Sequence, residues 1–119
     1  MSTSTRVDLL FTYRVNNGQE ARFQDYLDLV PPLTESREPY VLEYELFRRE
    51  DGTYLQHERY EDETAIYKHL ELTADGQKAW GEATELLSLD VIGDLSQKFW
   101  ESFDFPGVTR YQRIQAITR

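Results

Sequence analysis

The sequence predicts an α+β fold, in which one antiparallel sheet carries helices on one of its faces. Segments that alternate apolar and polar residues lie near both ends of the chain and in its middle, and apolar residues recur every three or four positions between them. The 119 residues can build one hydrophobic core, and no repeat or linker-like stretch divides them. We therefore predict a single domain over residues 1–119, with residues 1–6 frayed.

The first half of the chain predicts a strand, a helix and a β-hairpin. Residues 7–15 place β-branched and aromatic side chains at alternate positions, which is typical of a strand. Apolar residues at helical spacing over residues 23–30 predict a helix, which Pro31 and Pro32 are expected to end. The rest of this half is predicted to be a polar connector and two strands, over residues 33–39, 41–49 and 53–60.

The charges on the two central strands decide the register of the hairpin. A two-residue turn at Asp51-Gly52 would place Glu45 opposite Glu58, and like charges at opposed positions destabilise a sheet. A three-residue turn, with Gly52 in the left-handed conformation, instead pairs Glu45 with His57. We therefore predict the three-residue turn. It directs six residues to the helix side of the sheet: Leu42, Tyr44, Leu46, Gln56, Glu58 and Tyr60.

The second half of the chain predicts two or three helices and a closing strand. Asp62 is a good N-cap for a helix that carries His69 on its buried side. A further helix is expected over residues 74–88, with Trp80 on its apolar stripe, and a short helix within residues 89–105. Residues 108–118 alternate as a fourth strand. The order β-α-β-β-α-(α)-β is that of the ferredoxin-like fold, with a four-stranded antiparallel sheet and helices on one face.

The composition excludes several classes of partner. A net charge of −9, from 13 Lys and Arg against 22 Asp and Glu, would repel a phosphate backbone, so we expect no nucleic-acid partner. The chain has no cysteine, which excludes thiolate metal sites and fits a reducing compartment. We find no run that reads as a signal peptide or a membrane span, and we expect a cytoplasmic protein that does not bind membranes.

The segment over residues 42–70 resembles the antibiotic biosynthesis monooxygenase family. The resemblance is carried by the string Glu-x-Tyr-x-Asp-x-x-Ala-x-x-x-His-Leu, which runs from Glu58 to Leu70. It implies a dimeric α/β barrel, in which two sheets pack together and each subunit holds a ligand pocket between sheet and helices. Phe47 and Leu55 on the bare sheet face favour such a homodimer on physical grounds. The stretch over residues 89–105 is longer than the family's usual connection, and it is expected either to cover the pocket or to extend the dimer contact.

Glu58 and His69 are the candidate catalytic residues. Both are expected on the helix side of the sheet, where a carboxylate must be hydrogen-bonded or have a raised pKa, and an imidazole can relay a proton near neutral pH. A purely structural role for either residue stays open. The candidate substrate-binding residues are Tyr60, Tyr44 and Trp80, for which core packing is the alternative.

The resemblance implies a monooxygenase without cofactor that acts on a small aromatic or quinol-like molecule. In that reaction the substrate itself reacts with dioxygen, and the protein supplies a dry pocket, orientation and a proton acceptor. An isomerase that uses Glu58 and His69 for proton transfer is the first alternative, and a ligand-binding dimer without catalysis is the second. The resemblance implies that neither metal nor flavin is needed. We also expect no metal pair of histidines, because His57 is predicted to face away from His69 and to pair with Glu45.

Overall fold

The computed structural model describes residues 4–119 and contains one five-stranded sheet with four helices. Its elements in chain order are β1 (Val7–Val15), α1 (Glu20–Arg37), β2 (Val41–Arg48), β3 (Tyr54–Tyr60), α2 (Glu63–Leu72), α3 (Ala74–Ala83), β4 (Thr84–Ile92), α4 (Gln97–Ser102) and β5 (Val108–Tyr111). The α+β class and the ferredoxin-like order of the first four strands are as predicted. None of the helices among the described residues is long and apolar enough to cross a membrane.

The sheet is mixed, which corrects the prediction of four antiparallel strands. The strand order is β2-β3-β1-β4-β5, and the first four strands pair antiparallel as in the ferredoxin-like fold. β5 is an additional edge strand that runs parallel to β4, with Leu89 opposite Val108. The structural counterpart of the fourth ferredoxin-like strand is therefore β4, and the segment predicted to be that strand forms the fifth.

The predicted register of the hairpin is confirmed by the pairing of β2 with β3. Tyr44 lies opposite Glu58, Glu45 lies opposite His57, and Gly52 has a φ of 89° in the three-residue turn. The prediction is wrong for Leu42. A bulge makes Val41 the partner of Tyr60, so that Leu42 leaves the helix side and is 46% exposed.

Helix α1 does not end at the two prolines, and residues 33–37 of the predicted polar connector belong to this helix. Pro31 and Pro32 lie inside the helix, which continues to Arg37 although each proline removes one backbone hydrogen bond. Tertiary packing explains the continuation, since Val30 before the prolines and Thr34 after them are both buried. Val30 packs directly on Gly76 of α3, where an added Cβ would overlap the Val30 side chain.

The predicted helix over residues 74–88 is two elements. Helix α3 ends at Ala83, where the Thr84 hydroxyl donates to the carbonyl of Trp80 (2.7 Å), and the chain continues as β4. Residues 84–92 form a ladder with β1 from Asp8 to Val15, interrupted by one irregularity after Thr12. This long-range pairing overrides the helical spacing of Trp80, Ala83 and Leu87, because cross-strand packing and burial decide strand formation.

Both chain ends differ from the prediction. β5 is only four residues long, and residues 112–119 have no regular structure, with Ile114 and Ile117 82% and 80% exposed. At the other end, the predicted frayed residues 1–3 lie outside the described residues. Thr5 is held in place, because its hydroxyl donates to the carbonyl of Glu61 at 2.8 Å.

The two faces of the sheet have different surroundings. The covered face packs against the helices and holds buried apolar residues of three strands: Val7, Leu9, Tyr13, Tyr60, Leu89 and Val91. The open face carries exposed Phe47 and Leu55 beside a network of Asp8, His57, Arg59 and Glu43. His57 faces away from the helices as predicted, but its Nε2 contacts Asp8 (2.9 Å) and not Glu45.

Candidate active site

A cavity of about 210 Å³ lies between the covered face of the sheet and the helices. Its wall is mainly apolar, with a single carboxylate, Glu58. The residues that line it are Leu9, Phe11, Tyr26, Gln56, Glu58, Tyr60, Ile66, Leu70, Gln77, Trp80, Leu86, Leu89, Phe103 and Phe105. A concave apolar site with few polar groups is the usual form of a small-molecule site.

Glu58 is the charged group of this cavity and is 6% exposed. Its Oε1 accepts a hydrogen bond from the Tyr60 hydroxyl (2.5 Å), and its Oε2 accepts one from the Gln56 amide (2.6 Å). Burial raises the pKa of Glu58 above its usual value, although the charge of His69 and these two hydrogen bonds act in the opposite direction. A carboxyl group whose pKa is raised in this way holds a proton more readily than an exposed carboxylate, which suits it to proton transfer.

A hydrogen-bonded network of phenols and one amide holds Gln56 beside Glu58. The Tyr13 hydroxyl donates to Gln56 Oε1 (2.7 Å), while Gln56 Nε2 lies 2.9 Å from the hydroxyl of Tyr26 and 3.0 Å from that of Tyr44. The hydroxyls of Tyr26 and Tyr44 also contact each other. Tyr44 therefore supports the site through Gln56 and is not among the residues that line the cavity.

His69 lies behind the cavity wall and does not line it. Its ring is fully buried and packs against the ring of Tyr60, with 5.6 Å between centroids. Nδ1 lies 2.8 Å from Oε1 of Glu38, a carboxylate that also accepts hydrogen bonds from the hydroxyls of Thr34 and Tyr40. The side chain that connects His69 with the cavity is Gln77, whose amide nitrogen is 3.4 Å from Nε2.

Trp80 belongs to the apolar part of the wall. Its ring meets Phe11 and Tyr13 edge-on, with centroid distances of 5.9 and 5.1 Å. Its indole N–H is buried and makes no hydrogen bond of good geometry among the described residues, although it lies close enough to the Tyr13 hydroxyl to offset part of the burial that raises the pKa of Tyr13. A buried donor without a partner is costly, and a ligand acceptor within reach of the ring would remove that cost.

The structure brings three of the five predicted site residues to one cavity. Glu58, Tyr60 and Trp80 line it. Tyr44 and His69 do not line it, but they contact Gln56 and Tyr60, which do. Sequence reasoning missed several other residues of the cavity or its support: Tyr26, Glu38, Gln77, Phe103 and Phe105. Alternate residues of β3 face the same side of the sheet, so Gln56 could have been predicted as a site residue together with Glu58 and Tyr60. The location of Glu38 could not, because it depends on α1 continuing past its prolines.

One group among the described residues has the donor atoms of a metal site, and it lies on the open face. The ligand atoms of Glu43, Glu45 and His57 fall within 4.8 Å of one another. Arg59 contacts Glu43 at 3.2 Å and would compete with a cation there. This group is on the opposite face of the sheet from the cavity.

Comparisons with known proteins agree with the fold. The sequence pattern of the antibiotic biosynthesis monooxygenase family matches residues 7–82. MupZ from Pseudomonas fluorescens is similar in structure, with 16% identity and a TM-score of 0.81 over 100% of this chain and 93% of that one. The cofactor-independent oxygenase SnoaB from Streptomyces nogalater gives 14% identity and a TM-score of 0.62, over 78% of this chain and 96% of that one.

Rv0793 from Mycobacterium tuberculosis gives 18% identity and a TM-score of 0.63, over 77% of this chain and 97% of that one. No curated protein sequence matches this chain significantly. At these identities the structural likenesses concern the fold, whereas the family pattern covers more than half of the chain, from β1 through most of α3. The chain belongs to the antibiotic biosynthesis monooxygenase family.

Proposed function

We propose that this protein is a monooxygenase without cofactor that acts on a small phenolic or quinol-like molecule in the cavity, with Glu58 as the proton acceptor. The observation that carries the proposal is a single buried carboxyl of raised pKa in a largely apolar cavity. Such a group takes a proton from a weakly acidic hydroxyl more readily than an ordinary carboxylate. Family membership and the cofactor-independent oxygenase SnoaB among the similar structures support the reaction class.

The reaction balances with dioxygen as the only co-reactant. Glu58 takes the hydroxyl proton of the substrate, and the ring carbon of the resulting anion forms a bond to one oxygen atom of dioxygen. Protonation of the distal oxygen by Glu58 and loss of the hydrogen from the same ring carbon break the O–O bond. The products are a quinone and one water molecule, and all four electrons that reduce dioxygen come from the substrate.

The chain's own residues prepare this step by position and by exclusion of water. Tyr60 and Gln56 hold the carboxyl of Glu58 by one hydrogen bond to each oxygen, which fixes its orientation towards the ligand. The apolar wall around Trp80 excludes water from the anion and from the peroxide. His69 acts from behind, because its charge favours the ionised form of Glu58 and its ring supports Tyr60.

The test is oxygen uptake with a panel of hydroquinones and naphthols, run without added metal or flavin. We expect one dioxygen consumed for each quinone formed. Glu58→Gln should lower kcat by about 10²–10⁴-fold, the range for a lost general acid or base. Glu45→Gln is the matched control, because it removes an exposed carboxylate from the neighbouring strand and should leave kcat unchanged. Full activity of Glu58→Gln would overturn the assigned role.

An isomerase on the same scaffold is the second candidate, and the raised pKa of Glu58 favours it too. A carboxyl that holds its proton more tightly than an ordinary one can donate as well as accept, which is what a shift of a double bond or carbonyl requires. Incorporation of solvent deuterium into an enolisable ketone, without oxygen uptake, would select this reaction. Binding of the probes with neither oxygen uptake nor deuterium incorporation would leave a ligand-binding protein.

We also propose that two copies associate through the open face. Phe47 and Leu55 are 51% and 40% exposed there, around polar groups that a second copy can pair with. Sedimentation at micromolar concentration should give about twice the mass of the 14.1 kDa chain, and Phe47→Glu should weaken the association. The cytoplasmic location expected from the sequence stays a prediction.

A further inference from the structure

We propose that the segment between β4 and β5, residues 93–107, selects the ligand, with Phe103 and Phe105 forming the apolar far wall of the cavity. The ligand is then amphipathic, with a polar head at β3 and an apolar body that extends past β4 towards this segment. This inference concerns which molecule is bound and rests on the cavity being the substrate site of the proposed function.

The strand order separates the polar and apolar walls. Gln56, Glu58 and Tyr60 all come from β3, whereas the β4 side of the cavity is formed by Leu86 and Leu89. β1 lies between these strands in the sheet, so the two walls are about 10 Å apart at the usual strand spacing. A ligand that spans this width places only one end within reach of Glu58.

Phe103 and Phe105 extend the apolar wall beyond the sheet. Both line the cavity, and they leave α4 towards the edge strand β5. The backbone there is tied to the sheet, since the amide of Leu89 donates to the carbonyl of Gly107 at 2.9 Å. The two rings therefore meet the end of the ligand that lies farthest from β3.

The segment is held in place before any ligand binds. Both oxygens of the Glu63 carboxylate accept hydrogen bonds from Ser96, one from its amide (2.7 Å) and one from its hydroxyl (2.6 Å). Phe99 is fully buried, and its ring stacks on that of Phe103 with 4.4 Å between centroids. A wall fixed in this way can discriminate by shape, because it does not reorganise around each ligand.

Phe105 also marks the mouth of the cavity. It is 37% exposed, as is Leu70 of α2 at 36%, and both residues line the cavity. A side chain that is partly in solvent and partly in the wall belongs to the rim. The ligand's apolar end therefore passes between α2 and the segment after α4.

This wall lies outside the part of the chain that carries the family pattern, which ends at residue 82. SnoaB and Rv0793 superpose on 78% and 77% of this chain, whereas MupZ superposes on all of it. The family pattern thus includes Glu58 but not Phe103 or Phe105, on which ligand choice can depend.

The test measures binding of phenol and 4-butylphenol by calorimetry to the wild type and to four variants. Phe105→Ala and Phe103→Ala should each raise the Kd of 4-butylphenol about 5–10-fold, because aromatic contact with the butyl group is lost, and change the Kd of phenol less than about 2-fold. Glu58→Gln should change both values by the same factor, because both probes share the hydroxyl. Phe47→Ala on the open face is the matched control and should change neither.

Equal effects of Phe105→Ala on both probes, or no effect on either, would overturn the inference, as would a wild type that binds 4-butylphenol no more tightly than phenol. Phe105 is partly exposed, so its variant can be read even if Phe103→Ala does not fold. The difference between the Kd changes for phenol and for 4-butylphenol is measured by binding alone, so it does not depend on turnover. A selective effect without oxygen uptake supports the wall and counts against the monooxygenase, whereas oxygen uptake without a selective effect does the reverse.

Discussion

Two carboxylates on opposite faces of the sheet are almost equally buried and differ in every other respect. Asp8 on the open face is 7% exposed, and Glu58 on the covered face is 6% exposed. Burial alone would raise both pKa values. The pKa of Asp8 is nevertheless lowered, because hydrogen bonds and charges from Arg59 and His57 outweigh the burial. The pKa of Glu58 is raised, because burial outweighs the charge of His69 and the hydrogen bonds from Tyr60 and Gln56, which act in the opposite direction.

The difference shows how a sheet this small can hold one carboxylate for stability and another for chemistry. Asp8 is held in its charged form by hydrogen bonds from Arg59 and His57, so it is not available as a proton donor in a reaction. The neighbours of Glu58 orient its carboxyl but only partly offset the effect of burial, so its proton can move. The same reasoning separates the two histidines, since His57 contacts Asp8 near the surface and His69 contacts Glu38 where both side chains are fully buried.

The largest expected effect on stability is that of His69→Ala. It leaves the Glu38 carboxylate buried without its imidazole partner, and breaking a buried pair costs about 3–5 kcal/mol of unfolding free energy. His57→Ala is the control at the other face and should cost about 1 kcal/mol, because its contacts are partly solvent-exposed. Urea unfolding measures both. Equal losses would show that burial of the pair does not distinguish the two histidines.

The exchange of each carboxylate for its amide should separate the two faces. Asp8→Asn removes a charge that accepts hydrogen bonds from Arg59 and His57, and should lower the unfolding free energy by about 1–3 kcal/mol at pH 7. Glu58→Gln should cost less than about 1 kcal/mol or stabilise, because the Tyr60 hydroxyl can turn to accept from the new amide. Thermal unfolding measures both losses, and a larger loss for Glu58→Gln than for Asp8→Asn would contradict the prediction.

The pH dependence of stability should have opposite signs at the two sites. The folded pKa of Glu58 lies above its usual value of 4.5, so its ionisation lowers stability as the pH rises from about that value through the folded pKa. The folded pKa of Asp8 lies below 3.8, so its contribution is present above that value and is lost as the pH falls through the folded pKa. As the pH rises from 3 to 8, the melting temperature of Glu58→Gln should therefore increase relative to that of the wild type. The melting temperature of Asp8→Asn should decrease relative to that of the wild type.

The smallest expected effect concerns the turn that assigns residues to the two faces. Gly52 has a φ of 89°, so Gly52→Ala should lower the unfolding free energy by about 1 kcal/mol, although an added Cβ would meet open space. Gly81→Ala is the control, since an added Cβ also meets open space in a helix. A one-residue slip would exchange the faces of His57 and Glu58, so unchanged stability would mean that the turn does not hold the register.

Local rules account for the parts of the fold that were predicted correctly. Charge opposition and a glycine specified the hairpin, and Asp62 caps α2 by accepting from the amide of Ala65 at 2.9 Å, as expected. These features depend on residues close together in the chain or on the period of two in a strand. That was sufficient to place Glu58 and Tyr60 on the covered face.

The errors lie where distant parts of the chain meet. Packing of Val30 on Gly76 continues α1 through two prolines, and pairing with β1 turns residues 84–92 into a strand. In both cases the local sequence signal was correct, but side chains are buried against distant parts of the chain, and this burial outweighs the local preference. The contact of His69 with Glu38 depends on the same continuation, because Glu38 reaches the imidazole from the end of the longer helix.

The sequence by itself determined the order of the first elements and the face on which Glu58 lies, because alternation, capping and turn chemistry act over a few residues. The family followed from the resemblance of residues 42–70 and from the family pattern over residues 7–82. Only the tertiary structure decided that Glu58 opens to a cavity while His69 does not, and that Phe103 and Phe105 complete its wall. A cavity is the space left among elements that are far apart in the chain. It therefore depends on packing that no local pattern records.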